Sequence, residues 1–343
     1  MPIRLLAGFL AALAILVVAT ACSDDDSDST GASSTEASAP IPAEVILDWF
    51  PNADHASIYT AKEQGLFADS GLDVKLTVPS DPAAALKQVA ANRAEFAISY
   101  EPEVILARSQ DIPVTAVAAI VNQPLNSLIV RKDRGISRPR DLEGKNVGAT
   151  GLPSDRALLE TVVRSDGGDP SKVTITNVGF TLGPAIVSGK VDALIGAYWN
   201  IEVPEIEDKG VDVEVFRLDE HGVPDYDELV LVTSEKVIAQ NPELVKRMVR
   251  GLQSGALAAE RDTEAAAAAV LAANPDLNAD LLASQVAETT PLLASRGDGE
   301  ELLSVDPNAW SSYADWMRAE GLLTKDLQIT DAVNPGFVEE PSS

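Results

Sequence analysis

Two distant segments of this chain read alike, and their common pattern restricts the fold more than any other feature. Asn92-Arg93-Ala94-Glu95-Phe96-Ala97-Ile98-Ser99 runs into Tyr100-Glu101, and Gly189-Lys190-Val191-Asp192-Ala193-Leu194-Ile195-Gly196 runs into Tyr198-Trp199 and then Glu202. In each, a helix stops at Asn or Gly, a basic and an acidic residue make the turn, and a short apolar strand ends at aromatics and a carboxylate. Ligands of open α/β sheets bind beyond the carboxyl ends of strands. Two such strands in two lobes predict two aromatic-plus-carboxylate walls facing each other, a clamp for a flat, hydrogen-bonding small molecule. The plainer alternative makes Phe96, Ile98, Tyr198 and Trp199 core residues of a recurrent helix-turn-strand unit. Glu101 and Glu202 weigh against it, because carboxylates are seldom buried without partners.

At 343 residues and 45% hydrophobic content the chain can bury a sizeable core, and its length predicts about two domains. A formal net charge of -27 disfavours nucleic acid and anionic membrane surfaces as partners, without fixing the sign of a local pocket. The lone cysteine, Cys22, follows Arg4, an apolar run from Leu5 to Val18 and Ala19-Thr20-Ala21. That order predicts a signal peptide over 1–21, similar to the lipobox of bacterial lipoproteins, with lipidation at Cys22 and an exported, membrane-anchored product. Residues 22–43 are expected to form a flexible tether, since a Ser-, Asp- and Ala-rich run cannot offset the entropy of ordering. A single cysteine leaves no disulfide and no cysteine metal site, and with only His55 and His221 a multi-histidine metal site is excluded.

From Val45 onward, strands and helices alternate in the α/β manner. Expected strands are Val45–Trp49, Leu72–Leu76, Glu95–Tyr100, Val114–Ile120, Ser127–Arg131, Lys145–Ala149, Val173–Val178, Val191–Ile195, Val213–Phe216 and Leu229–Val232. A helix is expected over Pro82–Ala91, with Asp81 as N-cap. Leu229–Val232 is an uninterrupted apolar run of the kind buried on both faces, read as a return into the first lobe. The expected lobes are 44–131 with 228–343, and 132–227, with hinge crossings near Ser127–Arg131 and Pro224–Leu229. In the last expected helix Trp310, Tyr313, Trp316 and Met317 recur at helical spacing, the mark of core packing.

Several motifs together resemble the substrate-binding proteins of ABC importers for thiamine pyrimidine precursors. They are Leu47-Asp48-Trp49-Phe50-Pro51-Asn52-Ala53-Asp54-His55, Gly65-Leu66-Phe67, Gly71-Leu72-Asp73-Val74, Asn126-Ser127-Leu128, Leu142-Glu143-Gly144-Lys145, Ser188-Gly189-Lys190-Val191-Asp192-Ala193 and Gly196-Ala197-Tyr198-Trp199-Asn200-Ile201-Glu202. The Leu-Glu-Gly-Lys and Gly-Lys-Val-Asp-Ala elements are shared with sulfonate, taurine and nitrate binders; Asp-Trp-Phe-Pro-Asn and Tyr-Trp-Asn-x-Glu are narrower. The resemblance implies a type II periplasmic-binding-protein fold, two α/β lobes on a two-strand hinge that close on the ligand, a monomer that delivers it to a membrane permease and ATPase. It implies no cofactor and no enzyme activity.

The residues support that ligand class on their own chemistry. A 4-aminopyrimidine has two flat faces and an edge with an amino donor beside a ring nitrogen. Trp49, Tyr100, Tyr198 and Trp199 can supply faces, while Glu202, Asn52 and Asn126 can supply the edge, with Glu202 reaching both amino group and ring nitrogen. Glu101, His55 and Tyr59 complete the candidate set, His55 being equally readable as a cap of the first helix. An anion would call for Arg or Lys, and Asp48–Tyr59, Ser99–Pro102 and Gly196–Glu202 hold neither. One anion-compatible element is the turn at Thr150-Gly151, whose amides can receive a ligand oxygen unless Asp155 simply caps the following helix. The rival readings are a binder of another heterocycle or of a sulfonate- or nitrate-type anion, and an enzyme like the pyrimidine synthases of the same superfamily. The latter carry a cysteine-rich motif absent here, and no lysine adjoins the aromatic motif.

Overall fold

The computed structural model describes residues 39–293 and 301–339, so the expected signal peptide, Cys22 and most of the tether lie outside the described residues. The strands in chain order are β1 (Ile41–Ile46), β2 (Leu72–Thr77), β3 (Phe96–Ser99), β4 (Val114–Val121), β5 (Asn126–Arg131), β6 (Asn146–Ala149), β7 (Thr174–Asn177), β8 (Ala193–Tyr198), β9 (Val213–Arg217) and β10 (Leu229–Ser234). They form two five-stranded sheets, ordered β2-β1-β3-β10-β4 and β7-β6-β8-β5-β9. The echo in the sequence is an echo in topology. β3 and β8 both hold the middle position: β3 is parallel to β1 and antiparallel to β10, and β8 is parallel to β6 and antiparallel to β5.

Each antiparallel strand comes from the far side of a crossing. β5 pairs with β8 and β9, which places it in the second sheet. The lobe boundary therefore falls in segment 122–125, ahead of the expected limit at 131, and Ser127–Arg131 is sheet instead of hinge. The return runs through 218–228 into β10, all of whose residues are buried, as its unbroken apolar run requires.

β1 begins earlier than expected, and Ile41–Ala43 belong to it instead of to the tether. Pro42 is tolerated because β3 pairs with β1 only at Val45 and Ile46, leaving Pro42 with one unpaired side. Downstream, the chain leaves the sheet after Leu47, so Asp48 and Trp49 emerge at the strand's carboxyl end. The helix expected from Pro82 starts at Ala84, since the Asp81 carboxylate accepts from Ala83 N at 3.1 Å and closes a turn there. Sequence reasoning missed the helices Glu101–Ser109 and Glu202–Asp208, which follow β3 and β8 and start at a carboxylate with a proline soon after.

The C-terminal helices cover the first sheet. Pro242–Arg261 buries Leu244, Val245, Met248, Val249 and Leu252. In Pro307–Ala319, Trp310, Tyr313 and Met317 are buried and Trp316 packs on Tyr313 with ring centroids 5.0 Å apart. Trp310 Nε1 donates to Asp227 Oδ2 at 2.7 Å, fastening this helix to the returning crossing.

Candidate functional site

The carboxyl ends of β1, β3, β6 and β8, together with the two crossings, enclose a cavity between the lobes, the place where an open α/β fold binds its ligand. Trp49, Asn52, Tyr100, Asn126, Thr150, Tyr198 and Glu202 line it, bringing seven of the expected residues together. Asp48, Pro102, Leu152, Ser154, Leu158, Gly196, Ile201, Tyr226 and Glu228 complete the lining. No Arg or Lys is among the described residues that line it.

A belt of carboxylates and phenols spans the floor. Asp48 accepts from Tyr100 Oη at 2.9 Å and, through its other oxygen, from His55 Nε2 at 2.9 Å. Asn52 N donates to His55 Nδ1 at 3.3 Å, so the network assigns the His55 proton to Nε2. On the other side Glu228 accepts from Tyr198 Oη at 3.1 Å, Tyr226 Oη at 2.9 Å, and Leu125 N and Asn126 N at 2.8 Å each. Burial, followed by the nearby Asp48, holds the Tyr100 phenol well above its ordinary value, and burial likewise raises Glu228. Tyr198 and Tyr226 are raised in the same way by burial, so all three tyrosines are neutral donors tethered at their hydroxyls.

Glu202 opens the helix after β8, where its Oε2 accepts from Tyr198 N at 2.6 Å. Burial, and next the neighbouring Glu205, push its carboxyl up to about 8. At neutral pH the carboxyl therefore holds a proton. Asn126 Oδ1 accepts from Gly196 N at 2.9 Å, tying β5 to β8 behind the wall.

Five expected site residues do not line the cavity. Trp199 lies beneath the Arg217 guanidinium, 4.7 Å from its ring centroid. Its neighbour Tyr198 ends a strand, where successive side chains point to opposite faces, so one of the pair had to turn away. Tyr226 supplies an aromatic surface in its place. His55 serves the capping box of the turn at Ala53–His55 with Asn52 and supports Asp48. Tyr59, one turn further on, faces an outer groove with Phe50, Pro51 and Val78. Glu101 accepts from Asp227 N at 2.7 Å at the returning crossing. Gly151, at φ +91°, donates its amide to Asp155 Oδ2 at 2.8 Å, and Leu152 N does the same at 3.1 Å. The amides expected to receive a ligand oxygen are therefore occupied by the chain's own carboxylate.

Of the residues missed, Asp48 and Glu228 left a signal: each is an acid bordering an apolar strand, and such an acid needs partners. Phe180 left none. It stands on the second lobe with its ring 4.5 Å from Trp49 and 4.9 Å from Phe50, bridging the lobes at the cleft mouth.

Two α/β lobes of this topology, closed over a cavity at the carboxyl ends of their strands, define a periplasmic-binding-protein fold. The alkanesulfonate-binding protein SsuA from Xanthomonas axonopodis pv. citri, bound to MOPS, matches it with a TM-score of 0.69 over 87% of this chain and 99% of that one, at 14% identity. The chain belongs to the NMT1/THI5-like family, whose model matches residues 52–266. Among curated relatives, the formylaminopyrimidine-binding protein of Halalkalibacterium halodurans is 35% identical over 84% of this chain and 88% of its own length. The 4-amino-5-hydroxymethyl-2-methylpyrimidine phosphate synthase of Legionella pneumophila is 25% identical over 84% of this chain and 87% of its own.

Proposed function

We propose that this protein is the exported, ligand-capturing subunit of an ABC importer for a 4-amino-2-methylpyrimidine such as formylaminopyrimidine or hydroxymethylpyrimidine. The observation that carries the reading is the cavity lining: aromatic rings and three carboxyl groups, Asp48, Glu202 and Glu228, with no Arg or Lys among the described residues that line it. Such a site rejects a sulfonate or nitrate, whose charge would face acids in a low dielectric. It suits a flat base that carries donors. The pyrimidine lies between the rings of Trp49, Tyr100 and Tyr198, with Asn52 and Asn126 at its rim. The protonated Glu202 gives its proton to the ring nitrogen while the carboxyl group accepts from the amino group, so the charge-assisted pair forms without taking a proton from solvent. The kinship with the formylaminopyrimidine-binding protein supports the same ligand class. A lipid anchor at Cys22 holds the protein at the outer face of the membrane, and the closed lobes present the ligand to the permease and its ATPase.

The synthase reading is the weaker one. His55 is buried between Asp48 and Asn52, and among the described residues no lysine lines the cavity to hold an aldehyde cofactor as a Schiff base. Calorimetry with formylaminopyrimidine, hydroxymethylpyrimidine, pyridoxal phosphate and an alkanesulfonate tests the assignment. The expected order has a pyrimidine binding at least about a hundredfold tighter than either anion, a difference of about 2.7 kcal/mol. Tighter binding of the sulfonate or of pyridoxal phosphate would reject it.

A further inference from the structure

The Tyr-Trp-Asn-x-Glu stretch contains a residue that the cavity does not use. Asn200 is fully buried and absent from the lining. Its Nδ2 donates to Asp54 Oδ1 at 2.7 Å and to Thr289 Oγ1 at 2.9 Å. Asp54 lies in the turn after β1, and Thr289 ends the helix Ala279–Thr289 that packs on that turn; Asn200 follows β8 of the second lobe. One residue further, Gln285 Nε2 of the same helix donates to Ile201 O at 3.0 Å. All these groups are buried, and all the bonds cross from one lobe to the other.

We infer that Asn200 is a positioning residue for ligand capture: a clasp that fastens the Tyr198–Glu202 wall to the first lobe and sets how long the closed state lasts. Asn200 and its two partners belong to opposite lobes, so the clasp exists only after closure, and opening returns each group to water. The closed clasp also leaves Asp54 Oδ2 and Asn200 Oδ1 buried without partners. Those orphaned oxygens oppose the gain from the three bonds, which keeps closure reversible and lets the ligand bias it. The inference rests on the reading of this cleft as a closing ligand site and is independent of which pyrimidine occupies it.

Stopped-flow kinetics with hydroxymethylpyrimidine and formylaminopyrimidine tests the clasp. Asn200→Ala should raise the dissociation rate about ten- to hundredfold, the scale of losing two buried hydrogen bonds at once, with the association rate changed less than about twofold. The factor should be the same for both pyrimidines, the Tm of the ligand-free protein should hold, and Thr289→Ser, which keeps the hydroxyl, should behave as wild type. An unchanged dissociation rate, a loss confined to one pyrimidine, or a ligand-free Tm that falls while dissociation holds would overturn it. Gln285→Leu provides a second variant should Asn200→Ala fold poorly. If neither pyrimidine binds, the ligand assignment fails separately, and spin labels at Asp73→Cys and Lys209→Cys in a Cys22→Ser background decide the clasp. A shorter lobe separation in wild type than in Asn200→Ala supports it, and identical distributions overturn it.

Discussion

Glu202 concentrates the residue-scale chemistry, since burial sets its protonation and its bond to Tyr198 N sets which end meets the ligand. Its folded value of about 8 lies above the ordinary 4.5, and Asp54 is pushed up to about 7 by burial in the same sense. Between those limits the folded protein holds protons that the unfolded chain releases. Stability contributed by these groups is therefore greatest at acid pH and is lost as pH rises toward about 8. Thermal scans of the ligand-free protein should show Tm falling from about pH 5 to about pH 8, with Glu202→Gln flattening the upper part of the slope. A Tm that rises over that range would contradict the account. In the same variant the amide oxygen must accept from Tyr198 N, leaving the NH₂ group toward the cavity. That end still serves the ring nitrogen but cannot accept from the amino group, so affinity should drop about two- to tenfold and lose its pH dependence in calorimetry. Undiminished affinity would remove Glu202 from the edge.

Strand ends do the corresponding work at the level of elements. Gly196 sits near the end of β8 at φ +82°, where an added Cβ would stand 2.6 Å from Thr150 Cγ2 and 3.1 Å from Asp155 Oδ1. Gly196→Ala should cost ~1–3 kcal/mol in a denaturant titration, from a strained backbone and a crowded wall, and weaken ligand binding with it. Wild-type stability and affinity would show that the β8 wall can yield. The elements were legible in the sequence wherever apolar runs met clear punctuation, as at Leu229–Val232. The echo of β3 and β8 marked both walls because helix stop, turn and strand recur in the same order. What stayed hidden was direction and partnership. Nothing local says that Tyr198 faces the cleft and Trp199 faces Arg217, or that Gly151 N meets Asp155. The short helices after each echoed strand escaped because they are too brief to show a period, and β5 changed lobe because its partners lie far along the chain.

Taken whole, the molecule is in a closed arrangement. Phe180 reaches Trp49 and Phe50 across the mouth, and Ser154 N at the start of a second-lobe helix donates to Glu103 Oε1 of the first at 3.1 Å. Two crossings with their own hydrogen-bonded anchors, at Leu125 and Asp227, let the lobes turn as units. Small-angle scattering should therefore show a smaller radius of gyration with saturating hydroxymethylpyrimidine than without it, and Phe180→Ala should shift the ligand-free profile toward the open form. Superimposable profiles with and without ligand would argue against closure. The central claim is that this cleft selects an aminopyrimidine, and the most direct measurement is a mass spectrum of the small molecule released when protein purified from its own host is denatured. The account predicts a 4-amino-2-methylpyrimidine in near-stoichiometric amount; a sulfonate, nitrate or pyridoxal phosphate in its place would contradict it.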